Sequence, residues 1–230
     1  MDVEPHPTDV FQPGLFNLDD TSSGLIELFP AVWDSLEGLI SPNIEQRQQA
    51  LKNLLGWNAP RLSPLVAYVL FTRLTDPDMA LRAQIIQALG EVYVVDQNGR
   101  AAPDCVRNYL SANLAQMRTR PIYSLLETAI YYPHLESAIA RLLNGCPYAG
   151  RHLVDILADR RAPRSMRMEA VHFIGRVGYL EAIPELERLA NRLETRLYGQ
   201  QAMPFTSNSP SDEVELLPAI NTTLTLLRAP

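Results

Sequence analysis

A chain of 230 residues that is 47% apolar and 20% charged has the length for one large domain or a repeat array, and it excludes a disordered or collagen-like polymer. Its formal charge of −6 argues against nonspecific nucleic-acid association, which needs a clear basic excess on one face. The longest uninterrupted apolar run, residues 65–71, is too short to cross a bilayer.

Residues 1–23 hold three prolines, several Asp, Ser and Thr, and no helical period, which predicts an irregular arm. The opening, MDVEPHPTDVF, lacks a basic segment followed by an apolar one, so no secretory signal is expected. Charge is concentrated here. Residues 1–46 carry Asp2, Glu4, Asp9, Asp19, Asp20, Glu27, Asp34, Glu37 and Glu45 with no Lys or Arg, a formal −9 that leaves the remainder at +3. Lys52 is the single lysine, so 19 of the 20 basic residues are arginines, whose planar forks suit carboxylates and phosphates. A compositional bias towards arginine explains this excess at least as well as selection for anion binding.

From about residue 24 apolar positions recur at steps of three and four, broken by Pro, Gly or Asp/Asn. The pattern predicts helices over 25–39, 42–56, 61–74, 77–95, 103–118, 121–132, 134–144, 148–160, 164–177, 180–198 and 212–228. Ser41-Pro42 and Asp76-Pro77 each read as an N-cap followed by proline at the first helical position. Ser63-Pro64 marks a further break. Residues 198–211 are rich in turn formers and read as an internal loop. No segment alternates as a strand.

A repeat runs through this pattern. Aligned on their glycines, QQALKNLLG (48–56), RAQIIQALG (82–90) and RMEAVHFIG (167–175) place Leu51, Ile85 and Ala170, then Leu55, Leu89 and Ile174, on one helical face. Gly56, Gly90 and Gly175 follow, where a large side chain would hold the partner helix away. The separations, 34 and 85 residues, fit a period near 42, the second gap spanning two copies. The missing copy falls on SLLETAIYY (124–132), with Ser124 at the arginine place and Tyr132 at the glycine place. Three elements lie between the recognisable copies, so one is an insertion or the pairing slips there.

These residues resemble HEAT repeats, particularly the short bacterial type also found in phycobilin lyases. Asp76, Asp78, Arg82, Ala88, Leu89 and Gly90 match that motif, as do Arg167, Glu169, Ala170, Ile174 and Gly175. The copy at 167–175 departs from it by carrying Arg160, Arg161 and Arg164 in place of the acidic turn, and the copy at 48–56 has Arg47 one residue early. The resemblance implies an all-α fold, an α-α superhelix of about five HEAT-like hairpins over 24–228.

Catalytic signatures are missing from the sequence. It contains no G-x-S-x-G, no G-x-x-x-x-G-K and no G-x-G-x-x-G. Glu169 and His172 form one Glu-x-x-His pair, which without a second pair reads as an ordinary helix position rather than a metal site. His6, His134, His152 and His172 are scattered. Cys105 and Cys146 make no disulfide framework, read as small apolar fillers, and fit a reducing, cytoplasmic setting. No cofactor or metal is expected.

The expected activity is therefore non-enzymatic: a scaffold presenting a curved repeat surface to another protein or peptide, with no membrane role. Candidate contact residues are Arg151, Arg160, Arg161, Arg164 and Arg167, which with His152 could form one electropositive ridge, and Tyr131 and Tyr132 beside His134. A solvated turn with local ion pairs, and a core position for the tyrosines, are the plainer readings. A chromophore lyase-like or chaperone subunit and a HEAT-like nucleic-acid-binding protein are the alternatives. Residues 1–46 are further expected to fold back over the arginine ridge and occupy the partner's place until displaced; that the acidic arm simply keeps the molecule soluble is an equally good reading.

Overall fold

The computed structural model describes residues 25–201 and 212–229, and these are helix and connecting turn with no strand among them. The expected arm, 1–23, lies outside the described residues, as do residues 202–211 of the expected loop. Residues 198–201 belong to a helix instead. After a 3-10 turn, Leu25–Leu28, come α1 (Pro30–Gly38), α2 (Ile44–Gly56), α3 (Ala59–Leu62), α4 (Pro64–Thr72) and α5 (Met79–Glu91). They are followed by α6 (Asp104–Leu114), α7 (Thr119–Tyr131), α8 (Glu136–Asn144), α9 (Ala149–Ala158), α10 (Arg164–Val177), α11 (Ile183–Gln201) and α12 (Asp212–Arg228).

Local chemistry sets the boundaries. Ser63 caps α4 as expected, its Oγ accepting the Val66 N–H at 3.1 Å with Pro64 at the first helical position. Ser63 itself is extended, which splits the helix expected over 61–74 in two. Asn58, left-handed at φ 53°, turns the chain from α2 into α3. The other two expected caps are displaced by two residues. Asn43 and Asp78 cap α2 and α5, accepting from Glu45 N at 2.8 Å and Leu81 N at 2.7 Å. Ser41 and Asp76 lie two residues further out and accept the N–H of those cap residues. The residue after each proline is itself a good cap, and it takes the role.

Chain order gives five hairpins, α1/α2, α3–α4/α5, α6/α7, α9/α10 and α11/α12, with α8 as the additional element. One layer runs α2, α5, α7 with α8, α10 and α12, each packed on the next. In the other layer α4 packs on α6 and α9 on α11, and the turn after α8 bridges them, with Gly145 against Leu114 of α6. One apolar core runs from Val32 to Leu227. Burying each leucine in it is worth about 1.5–3 kcal/mol, so these short helices are held by their neighbours.

The repeat is real but its register is set by arginines rather than glycines. Arg47, Arg82 and Arg167 are each the fourth residue of their helix and each is buried. Counting from them, the third, fourth and seventh residues on are buried in every copy: Ala50, Leu51, Leu54; Ile85, Ile86, Leu89; Ala170, Val171, Ile174. The eighth is Leu55, Gly90 and Gly175. Gly56 therefore sits one residue past the packing place, and a Cβ added there would meet nothing within 4 Å. At Gly90 and Gly175 it would lie 2.6 Å from Ala138 Cβ of α8 and 3.2 Å from Thr223 Cγ2 of α12.

The missing copy is corrected in the same way. Ile122 is the fourth residue of α7, and Leu125, Leu126 and Ala129 follow at the buried positions, so Ile122 rather than Ser124 stands at the arginine place. Ser124 instead receives Arg82 of the neighbouring copy. Ile130 takes the glycine place. Tyr132 lies beyond the helix, where the chain breaks at Pro133, and α8 enters against Gly90.

Candidate binding groove and basic surfaces

A groove of about 590 Å³ crosses the outer face of α5. Its floor is Ala80, Ala83 and Ala88, with the carboxamides of Gln84 and Gln87 along the same stripe. One wall is Leu55, Asn58 and Pro60 at the α2–α3 turn; the other is Tyr132, His134 and Leu135 at the α7–α8 corner. Those walls exist because the chain breaks at both places: a left-handed Asn58 on one side, Pro133 on the other. Tyr132 and His134 meet edge to face, ring centroids 5.9 Å apart. Arg61 also lines the groove, but its guanidinium is occupied by the carbonyls of Glu91, Val94 (2.7 Å) and Arg100 (2.9 Å), which pins the 92–100 loop. Sequence reasoning sought charge and aromatic clusters and overlooked this stripe. Its signal was present: Ala80, Ala83, Gln84, Gln87 lie opposite Ile85, Ile86 and Leu89 with no charge until Glu91.

The two tyrosines expected at an interface separate. Tyr132 lines the groove and is half-buried, whereas Tyr131 is 67% exposed at the end of α7.

The expected arginine ridge divides. Arg151 and His152 sit at the N-terminal end of α9, and Arg160 and Arg161 lie beyond its C-terminal end, about 15 Å away along ten residues of helix. Arg160 and Arg161 are exposed, and Asp159 accepts the Arg161 N–H at 2.8 Å. Arg164 pairs with Glu215 and so ties α10 to α12. Arg167 is not a surface group at all: it is 6% exposed, and its Nε donates to Leu157 O at the end of α9 at 2.8 Å. The reason is its repeat position, the same buried place as Arg47 and Arg82.

Those two arginines tie successive hairpins together. Arg47 reaches Asp76 ahead of α5, with Nε 3.2 Å from one carboxylate oxygen and Nη2 donating to the other at 3.3 Å, and donates to Ser41 O and Pro42 O. Arg82 donates to Ser124 Oγ at 2.7 Å and Glu127 at 2.8 Å on α7. Ser124 donates onward to Leu74 O at 2.6 Å.

The Glu-x-x-His pair lies over a small cavity of about 160 Å³ with Ile130, Pro133 and Phe173. A carboxylate oxygen of Glu136 on α8 lies 3.1 Å from His172 Nε2 and 2.9 Å from Arg176 Nε. Burial pushes the Glu169 carboxyl above its ordinary pKa; His172 works against this and Glu136 with it. No group of three or more His, Cys, Asp or Glu side chains among the described residues could hold a metal ion. Cys105 is half-buried and Cys146 buried, both as free thiols, and burial raises the pKa of Cys146. No described helix is long and apolar enough to cross a membrane. Comparison with protein-family models, with curated proteins and with solved structures gives no match to this chain.

Proposed function

We propose that the chain is a HEAT-like helical-repeat module, non-enzymatic and cytoplasmic, that binds a segment of another protein in the groove over α5. The observation that carries this reading is the groove's lining. Small alanine side chains let a partner backbone come close, and Gln84 and Asn58 offer paired donors and acceptors for peptide groups, with the carboxamide oxygen of Gln87 as a further acceptor, its nitrogen donating to Glu91. Tyr132 and His134 add rigid contact area at one wall. The bilin-lyase alternative wants a free arginine for propionate groups inside the groove, and Arg61 is already held by three carbonyls. Two free thiols fit a reducing compartment.

A photoreactive phenylalanine placed at Gln84 in the full chain and exposed to host lysate tests this, with Lys52, an exposed residue of α2 that does not line the groove, as the control position. The expected result is a defined protein adduct at 84 that is absent at 52 and suppressed by Ala80→Trp. Equal labelling at both positions, or none at 84, contradicts it.

A further inference from the structure

The N-terminal ends of α7 and α9 meet, with Thr119 Oγ1 3.1 Å from His152 Nδ1. Neither N-cap side chain bonds into its helix, and each helix presents the positive end of its dipole at this place; the N–H groups of Thr119 and Arg120 head α7, where Pro121 offers none, while Ala149 N–H at the head of α9 already donates to Cys146 O at 3.1 Å. Arg118 and Arg120 flank Thr119, and Arg151 flanks His152; all three arginines are exposed. No described carboxylate pairs with any of them, whereas Arg47, Arg82, Arg107, Arg164, Arg176, Arg188 and Arg228 each have an acidic partner. A cavity of about 620 Å³ opens beside Thr119 and Arg120. Its two acids, Asp76 and Glu127, are already bonded to Arg47 and Arg82; the other acids nearby are Asp155, exposed one turn along α9, and the exposed Glu181, whose carboxylate lies against Gly150 in the first turn of α9, so Arg118 and Arg120 at α7 carry most of the unbalanced charge.

We infer that this surface is a docking site for the chain's own acidic segment, residues 1–24. That segment holds Asp2, Glu4, Asp9, Asp19 and Asp20 and no Lys or Arg. It joins the fold where like charge surrounds it: Asp34, Glu37 and Glu45 are exposed on α1 and α2. Reach permits the contact. Glu27 accepts from Ser63 at the start of α4. α4 is nine residues, about 14 Å, and beyond its end Thr75 and Pro77 share the cavity with Thr119 and Arg120. An extended chain covers about 3.3 Å per residue, so Asp9, sixteen residues ahead of Leu25, can travel about 50 Å. Tethering supplies the effective concentration that makes such charge contacts count. The site differs from the ridge expected from sequence. Arg160 and Arg161 lie past the C-terminal, negative end of α9 and beside Asp159, whereas Arg118, Arg120 and Arg151 lie at two positive ends.

The experiment uses the full chain with a photoreactive phenylalanine at Phe16 and peptide mapping of the adducts. Expected are intramolecular adducts within 118–123 or 148–152, unchanged in yield on tenfold dilution and reduced several-fold by 0.5 M NaCl. The triple variant Arg118→Gln, Arg120→Gln, Arg151→Gln, with helical content and Tm matching wild type, should reduce them by the same factor. Adducts mapping to the α5 groove or to 159–164, adducts between two copies, insensitivity to the triple variant, or no adducts would each overturn the inference.

Discussion

Asp76 is 4% exposed, and Arg47 supplies the charge that balances it. Removing one member of a buried pair leaves the other uncompensated, at a cost of about 3–5 kcal/mol. Asp76→Ala is expected to lower stability by that amount in urea titration, and Arg47→Leu with Asp76→Leu to recover most of it; a loss below about 1 kcal/mol would deny the pair its role. Glu169 works in the opposite sense. Its carboxyl holds a proton more tightly folded than unfolded, because burial disfavours the ionised form, with Glu136 adding to this and His172 opposing it. The resulting cost is absent in acid and appears as pH rises through the ordinary carboxylate range near pH 4. Glu169→Gln should therefore raise Tm at pH 7 and converge with wild type below about pH 4. Equal shifts at both pH values would contradict the assignment. The arginine positions were legible in the sequence, yet Arg167 reads as a binding residue there, because periodicity names a face without saying which atoms cover it.

Among the helices, the three glycines of the repeat make a graded series. Gly56→Ala meets open space at the last residue of α2, where propensity counts for less than in a helix interior, so it should stabilise slightly, by up to about 0.5 kcal/mol. Gly175→Ala brings a Cβ 3.2 Å from the Thr223 methyl and should lie near neutral. Gly90→Ala drives into Ala138 and should destabilise by about 1–3 kcal/mol through separation of α5 from α8. Thermal melts in any other order would contradict the arginine-based register. Helix existence was readable throughout, since every predicted segment overlaps an observed helix. Caps and pairing were less so. A proline following Ser or Asp marks a start, but the next residue, Asn43 or Asp78, competes for the cap. Nothing local reveals that Ile130 stands where two of its counterparts, Gly90 and Gly175, are glycine, or that α8 packs on α5. The groove followed from that rearrangement, so only its floor on α5 was written in one segment.

At the scale of the molecule, the layer α2, α5, α7 with α8, α10 and α12 puts each hairpin against its neighbours in sequence, and coupling should decay along it. The buried arginines reinforce nearest-neighbour contact: Arg47 joins α2 to the start of α5, Arg82 joins α5 to α7, and Arg167 joins α10 to α9. Site-resolved hydrogen exchange on Asp76→Asn tests this most directly. A stack predicts exchange at least tenfold faster across α1, α2 and α5, with α10 and α12 changed by less than about twofold, because local openings need not propagate. Equal acceleration at both ends of the chain would mean one globally cooperative bundle, and would contradict the stacked-hairpin architecture on which the groove and its proposed use depend.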